Sequence, residues 1–364
     1  MKNKKICYLL PFFDLNTDSH YYHLYGFIDK VAENRDVFLV IEKGQSDISY
    51  FKNVKHIYIQ KFSLLPLRIM ENFFIALKAR LTGYEKFYIH YSYISAINAS
   101  IICRLTGGKT WYWNCGMMWL FKKDVFNQFM LKATFHLINF LVTGAEVLKD
   151  GYAENYSIPK EKIMIMPNWI DQCRFNKKFN RDEILKKFNL EENKKYILFV
   201  HRLAERKGAN YIAKIARNFD KDTIFLVAGD GPYRENLIKD IEEYKLINVK
   251  LLGKISNALV PELMSISDVF LMPSEEEGFP RVLIEAMASG LPYVASDIGG
   301  VREISPKIEQ KYVYPVGNTE KFTSGIKDIL SSGKEPFFSK SLKSKSEEFS
   351  QALIINKFLN ILNG

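Results

Sequence analysis

Short runs of β-branched and aromatic residues recur along the chain and alternate with longer stretches of helical periodicity. In the first half the runs are KKICYLL, DVFLVIE, HIYIQ, KFYIHY, TWYWN, NFLVTG and KIMIMP, each followed by amphipathic sequence or a loop. Such runs predict strands, and their alternation with helical segments predicts parallel sheets covered by helices. A polar stretch, 171–193, interrupts the rhythm, which resumes with KYILFVHRL, TIFLVAGDG, VKLLG, DVFLMPS, PYVAS and YVYPVG. Two doubly wound α/β domains are therefore expected, 1–173 and 174–345, with a terminal helix over 346–364 that can pack back on the first. The stretch after Gly333, KEPFFSKSLKSKSEEFS, is basic, serine-rich and poorly periodic.

At 364 residues the chain can house two domains with sizeable cores. Apolar residues at 47% and charged residues at 25% exclude a disordered chain. Aromatics at 14% exceed the usual need of a core, so some are expected to face a ligand or a membrane. Lys and Arg outnumber Asp and Glu by 51 to 41, and the net +10 suits nucleic acid, an anionic bilayer or phosphorylated small molecules without choosing among them. Cys7, Cys103, Cys115 and Cys173 lie far apart with no CxxC spacing, which argues against a zinc site or disulfide framework and for the reducing cytoplasm.

The opening MKNKKICYLLPFFDLN turns polar after a short apolar run and has no small-residue cleavage site, so it predicts a first strand. No convincing ~20-residue apolar span follows, and no membrane crossing is expected. Two stretches, SLLPLRIMENFFIALKARL and WYWNCGMMWLFKK, join apolar or aromatic residues to basic ones and suit docking on an anionic membrane. The plainer alternative is a core-facing helix with a solvated basic face.

Chemistry concentrates in EEEGFPRVLIEAMASGLP, residues 275–292. Strand DVFLMPS is expected to end near Pro273 and a helix to begin near Pro280, a residue suited to a first helical turn. The amides of Arg281, Val282 and Leu283 then lack intrahelical acceptors and, with the helix dipole, form a seat for phosphate oxygens. Glu277 falls in the loop before this helix and Glu285 more than a turn inside it. Carboxylates accept hydrogen bonds from hydroxyls, so two of them flanking a phosphate seat suit a ligand with a sugar at each end, the shape of a nucleotide-sugar. The alternative is that Glu275, Glu276 and Glu277 are solvated loop charges and Glu285 a surface residue. VHRLAERKG adds Arg202 just after a strand and Lys207 just before Gly208, two cations able to reach a diphosphate. All of these lie beyond carboxyl ends of strands, where open α/β sheets bind ligands.

EGFPRVLIEAMASGLPYVASDIGG resembles the Glu-x7-Glu segment of the retaining glycosyltransferases of family 4, the group 1 transferases. HRLAERKG is similar to their Arg…Lys-Gly phosphate segment, VAGDGP to their Gly-Asp-Gly-Pro turn, and IMPNWID to the Pro-Asn-Gly-Val-Asp segment that ends their first domain. The similarity covers most of residues 139–305, while the first 138 residues share only the βα rhythm. The resemblance implies the GT-B fold: two doubly wound Rossmann-like domains facing a central cleft, the first binding the acceptor and the second the nucleotide-sugar. It implies retaining, metal-independent transfer of a hexosyl-type sugar to a saccharide or lipid-linked saccharide, in surface polysaccharide or glycan assembly. Neither a cofactor nor a metal nor nucleic acid is implied. The expected location is the cytoplasm, with peripheral contact on the inner face of the membrane.

By the same resemblance Glu277 contacts hydroxyls of the donor sugar, Glu285 the ribose, and Arg202 and Lys207 the diphosphate. Gly278, Phe279, Pro280, Arg281, Val282 and Leu283 then line the donor seat. His90, closing KFYIHY, and Asn114, in WYWNCG, fall where the family carries histidines and are candidates on the acceptor side, although an amide cannot act as a base. Three departures stand out. PFFDLNTDSHYY replaces a glycine-rich loop, and His201 and Trp169 stand where the family has glycines, changes expected to narrow the cleft mouth. Rival readings are an epimerase or phosphorylase-like enzyme on the same fold, and a non-catalytic nucleotide-sugar-binding homologue. The base, the sugar and the acceptor stay open at this stage.

Overall fold

The computed structural model describes residues 4–15, 22–45, 47–122, 124–332 and 336–363. The chain divides into two compact units, Met1–Pro167 with Ile354–Gly364, and Asn168–Leu353. Part of the PFFDLNTDSHYY loop, residues 16–21, lies outside the described residues.

The first unit contains β1 (Lys5–Leu10), α1 (Tyr22–Ala32), β2 (Asp36–Ile41), β3 (His56–Ile59), α2 (Leu65–Leu81), β4 (Lys86–His90), α3 (Tyr93–Thr106), β5 (Lys109–Trp113), α4 (Val125–Leu137), β6 (Phe140–Thr143), α5 (Glu146–Tyr156) and β7 (Ile163–Ile165). The second contains α6 (Arg181–Lys187), β8 (Lys195–Val200), α7 (Ala209–Ala216), β9 (Thr223–Ala228), α8 (Arg234–Glu243), β10 (Val249–Gly253), α9 (Val260–Ile266), β11 (Val269–Met272), α10 (Arg281–Ala288), β12 (Tyr293–Ser296), α11 (Val301–Ile304), β13 (Val313–Tyr314), α12 (Thr319–Ser332) and α13 (Pro336–Glu347). A last helix, α14 (Gln351–Asn363), starts in the second unit, and from Ile354 on it belongs to the first.

Both sheets are parallel, in the orders β3-β2-β1-β4-β5-β6-β7 and β10-β9-β8-β11-β12-β13. Each winds outward in two directions from a central pair, β1 with β4 and β8 with β11, and so has a topological switch point at which ligands of doubly wound folds bind. Strands buried on both faces read as continuous apolar runs, which is why the sequence marks them so clearly. On one face of the first sheet Tyr8 and Tyr88 pack with Phe358 of α14, the Tyr88–Phe358 ring centroids lying 4.8 Å apart. On the other, Cys7, Leu9, Phe87 and Ile89 meet small residues of α2 and α3, among them Ala76, Ala96 and Ala99.

Four details depart from the sequence expectations. The unit boundary falls at Pro167/Asn168, ahead of residue 173, because Asn168 Nδ2 donates to the Phe279 carbonyl at 2.7 Å and the Ile170 amide to that of Phe349 at 3.0 Å. The serine-rich stretch after Gly333 forms α13, which packs on α10 with Leu342 and Ser346 buried. Trp111, Tyr112 and Trp113 are core: they form β5 between two other strands, and of the large apolar residues in WYWNCGMMWLFKK only Leu120 and Phe121 are exposed. Trp169 is also buried.

One buried acid sits outside every candidate motif. Glu309 is fully buried, and neither carboxylate oxygen has a partner among the described residues. Burial pushes its carboxyl up to about 7, against the pull of Lys311. A raised folded-state value means that stability is fullest below the ordinary value near 4.5 and is lost as pH rises through 7. Glu309→Gln should therefore raise stability at pH 8 by up to about 3 kcal/mol, and the melting temperature with it, and change both little at pH 5. Equal melting curves for the two proteins at pH 8 would contradict this.

Candidate active site

The second unit's switch point gathers the expected residues. Strand β8 ends at Val200, so His201 and Arg202 emerge at its carboxyl end, while β11 ends at Met272 and leads into Pro273–Glu277. Between β8 and α7 a single turn of 3-10 helix, Glu205–Lys207, carries Lys207 inward. Gly208 closes that turn at φ +75°, and a Cβ there would come within 2.2 Å of the Pro273 carbonyl, so only glycine lets this turn lie against the end of β11.

The three glutamates are not solvated loop charges. Glu275 accepts a hydrogen bond from the Tyr211 hydroxyl, and Glu276 pairs with Arg206 at 3.2 Å. Glu277 is buried, and three donors converge on its Oε1: Lys207 Nζ at 2.9 Å, His201 Nε2 at 3.1 Å and Ser274 Oγ at 3.1 Å. Its Oε2 has no partner among the described residues. Burial pushes the Glu277 carboxyl up, but the Lys207 charge and the His201 hydrogen bond outweigh burial and hold it at about 2. The loop is braced from beneath by Gly299, at φ +52°, where a Cβ would meet the Glu277 carbonyl at 1.9 Å.

His201, expected only to crowd an opening, has a defined task. Its Nδ1 accepts the Arg202 amide at 2.8 Å, so the proton sits on Nε2 and is donated to Glu277. Sequence reasoning missed both this contact and Ser274. The available signal was position, since both follow directly on strands that flank the switch point.

The two cations part company here. Lys207 is buried and committed, donating to Glu277 and also to the Glu276 carbonyl at 2.8 Å. Arg202 is exposed, and its guanidinium has no partner among the described residues.

Helix α10 begins at Arg281, with Pro280 as its cap and no side-chain hydrogen bond closing its N-terminus. The amides of Arg281, Val282 and Leu283 therefore have no intrahelical acceptor. Glu285 is buried one turn in, and one of its oxygens pairs with Arg281 Nε at 3.2 Å. Phe279 is buried, its carbonyl held by Asn168 as described.

In the first unit His90 and Asn114 stand at the ends of adjacent strands, since His90 pairs in register with Trp113. Both are buried. His90 Nδ1 hydrogen-bonds the Tyr8 hydroxyl at 2.7 Å, and Asn114 Oδ1 accepts the Gly116 amide at 3.0 Å. Among the described residues no group of three or more His, Cys, Asp or Glu side chains is placed to hold a metal ion.

Two Rossmann-type units with all-parallel, doubly wound sheets define the GT-B class of glycosyltransferase fold, and the whole chain superposes on solved members of it. HepE of Anabaena, solved with UDP and glucose, gives a TM-score of 0.82 at 15% identity over 99% of both chains. A glycosyltransferase from Rickettsia africae gives 0.79 at 20% identity, covering 99% of this chain and 97% of that one. Residues 180–346, a little under half of the chain, match the family model of the Glycosyl transferases group 1. An uncharacterized glycosyltransferase of Methanocaldococcus jannaschii is 28% identical over 232 residues, 61% of this chain and 59% of that protein. The UDP-Gal:alpha-D-GlcNAc-diphosphoundecaprenol alpha-1,3-galactosyltransferase of Escherichia coli is 30% identical over 145 residues, 38% of each. This chain thus spans 59% or less of the length of these two relatives.

Proposed function

We propose that the protein is a retaining, metal-independent glycosyltransferase that moves a sugar from a nucleotide-sugar to a saccharide or lipid-linked saccharide acceptor, in surface polysaccharide or glycan assembly. The observation that carries this reading is the half-occupied Glu277 carboxylate: Oε1 is fixed by three donors while Oε2 has no described protein partner, beside the open N-terminus of α10. Fixed in charge and orientation, Oε2 is an acceptor for donor-sugar hydroxyls. The first-turn amides of α10 and the Arg202 guanidinium would hold the diphosphate, and Glu285 the ribose. Negative charge grows on the nucleoside diphosphate as it leaves, and preorganised cations and amides aimed at it lower the barrier.

The first unit is assigned the acceptor. The E. coli relative is named for a UDP-galactose donor and a diphosphoundecaprenol-linked acceptor, which favours a lipid-linked saccharide here. His90 and Asn114 stand at the carboxyl edge of that unit's sheet, but as they are buried they act on an acceptor only by orienting what lies above them. Cysteines joined by no disulfide among the described residues suit the cytoplasm.

Transfer with a panel of UDP-, GDP-, dTDP- and ADP-sugars, with and without EDTA, tests the reading. Turnover with at least one donor, anomeric configuration kept and EDTA without effect, is expected. Loss of activity restored only by a divalent ion would refute metal independence. Glu285→Ala should weaken binding of the free nucleoside diphosphate by about 1–3 kcal/mol, the cost of charge-assisted hydrogen bonds left unmade. Unchanged affinity in the folded variant would remove Glu285 from the site.

A further inference from the structure

Helix α2 is apolar on both of its faces: Phe73, Ile75 and Leu77, half-buried, pack against the core. Its buried stripe is Asn72, Ala76 and Ala79, small or polar residues three and four apart. Asn72 Nδ2 donates to Ser95 Oγ at 2.9 Å and Asn72 Oδ1 accepts from Asn98 at 3.0 Å, so the seam with α3 is hydrogen-bonded and lined with alanines. The opposite stripe, Leu67, Met70, Phe74 and Leu81, lies 42 to 75% exposed. A helix whose outer face met only water would carry polar residues on that stripe. Small and hydrogen-bonding residues between helices, with large apolar ones outward, is how helices pack against each other in lipid.

The neighbours continue the pattern. Helix α3, which packs on α2, exposes Ile101 and Leu105, and α4, which packs on α3, exposes Val125, Phe126 and Phe129 in its first two turns. Scattered exposed hydrophobics are ordinary, but three adjacent helices that each present several mark an interaction surface.

Charge selects the occupant. Residues 61–137, which hold all three helices, contain ten Lys or Arg against three Asp or Glu, a net +7 out of the chain's +10. A second copy of the same face would bring like charges together. An anionic bilayer offers negative headgroups over an apolar interior, the two properties that this face matches. No helix among the described residues is long and apolar enough to cross a membrane, so α2 would lie along the surface.

We propose that the α2–α3–α4 face of the first unit docks on an anionic bilayer, with Phe74, Phe126 and Phe129 at the acyl boundary and the surrounding lysines on the headgroups. Docking there would bring a lipid-linked acceptor to the first unit, and in that respect it rests on the transfer proposed above.

Co-sedimentation of the full chain with phosphatidylglycerol-containing vesicles, against pure phosphatidylcholine vesicles, tests it. Binding is expected to anionic vesicles and to fall as salt rises, because the Debye length is about 10 Å at 0.1 M. Phe74→Ser, Phe126→Ser and Phe129→Ser together should lower binding at least tenfold with no loss of melting temperature, and Lys61→Gln, Lys122→Gln and Lys132→Gln should remove most of the preference for anionic lipid. Absence of binding at low ionic strength, or a phenylalanine variant that binds like the parent, overturns the proposal. So does a dimer in solution that the phenylalanine changes dissociate, since a second copy would then cover the face. Transfer to a soluble acceptor is measured in parallel: transfer without vesicle binding sinks the docking alone, and vesicle binding without transfer sinks the enzymatic reading alone.

Discussion

Lys207→Ala is expected to destabilise the second unit by about 3–5 kcal/mol, the usual cost of removing one partner from a buried ion pair. Both side chains of the Lys207–Glu277 pair are about nine-tenths buried, and at 2.9 Å the ammonium is the strongest influence holding the carboxylate charged. Without it, Glu277 keeps only the His201 and Ser274 hydrogen bonds against the same burial. The loss should be largely recovered in Lys207→Ala with Glu277→Gln, because the double variant buries no lone charge. The pair also fixes an acid limit. The Glu277 carboxyl lies at about 2 when folded, below its ordinary value near 4.5, so its stabilisation is present above 4.5 and is lost as pH falls from there through 2. The parent should therefore lose more stability across that window than Glu277→Gln does. Urea unfolding at pH 7 and pH 3 reads both effects, and a Lys207→Ala protein that unfolds at the parent's urea concentration would show that the pair is not a structural element.

The strands were legible because a parallel sheet with both faces covered leaves an unbroken apolar run in the sequence, as DVFLMPS and KYILFVHRL do. The site was legible to the extent that it sits where such strands end. Three features were not. The sequence offered α2 both as a membrane-docking helix and as a core-facing one, and it could not tell which of its apolar residues stay exposed, because only burial tells which stripe faces in. WYWNCG reads alike as a lipid-facing belt or as a central strand, and its place between β4 and β6 decides for the core. Among the described side chains of α13 only Leu342 and Ser346 are buried, a stripe too narrow to register among lysines and serines. The division of labour between Arg202 and Lys207 is likewise a matter of the third dimension, because a lysine five residues from an arginine does not announce that a glutamate seventy residues away will claim it.

That division makes Arg202 the informative residue for chemistry. Its guanidinium stands exposed at the end of β8 with no described partner, so its removal leaves no buried charge behind and should not disturb folding. Under the proposed mechanism its contribution grows as the nucleoside diphosphate departs, and interactions that strengthen in the transition state appear in kcat. Arg202→Ala should accordingly lower kcat by roughly 10²–10³, the range found when one preorganised stabilising group is removed, with a smaller change in donor KM. Arg202→Lys should recover part of the rate, since it restores the charge but not the two parallel hydrogen bonds that a guanidinium offers a phosphate. Steady-state kinetics at saturating acceptor, with the melting temperature as a folding control, decide the matter. A folded Arg202→Ala enzyme that keeps its kcat would mean that the leaving group is stabilised by the α10 amides and the remaining proton of Lys207, and that Arg202 serves only encounter with the anionic donor.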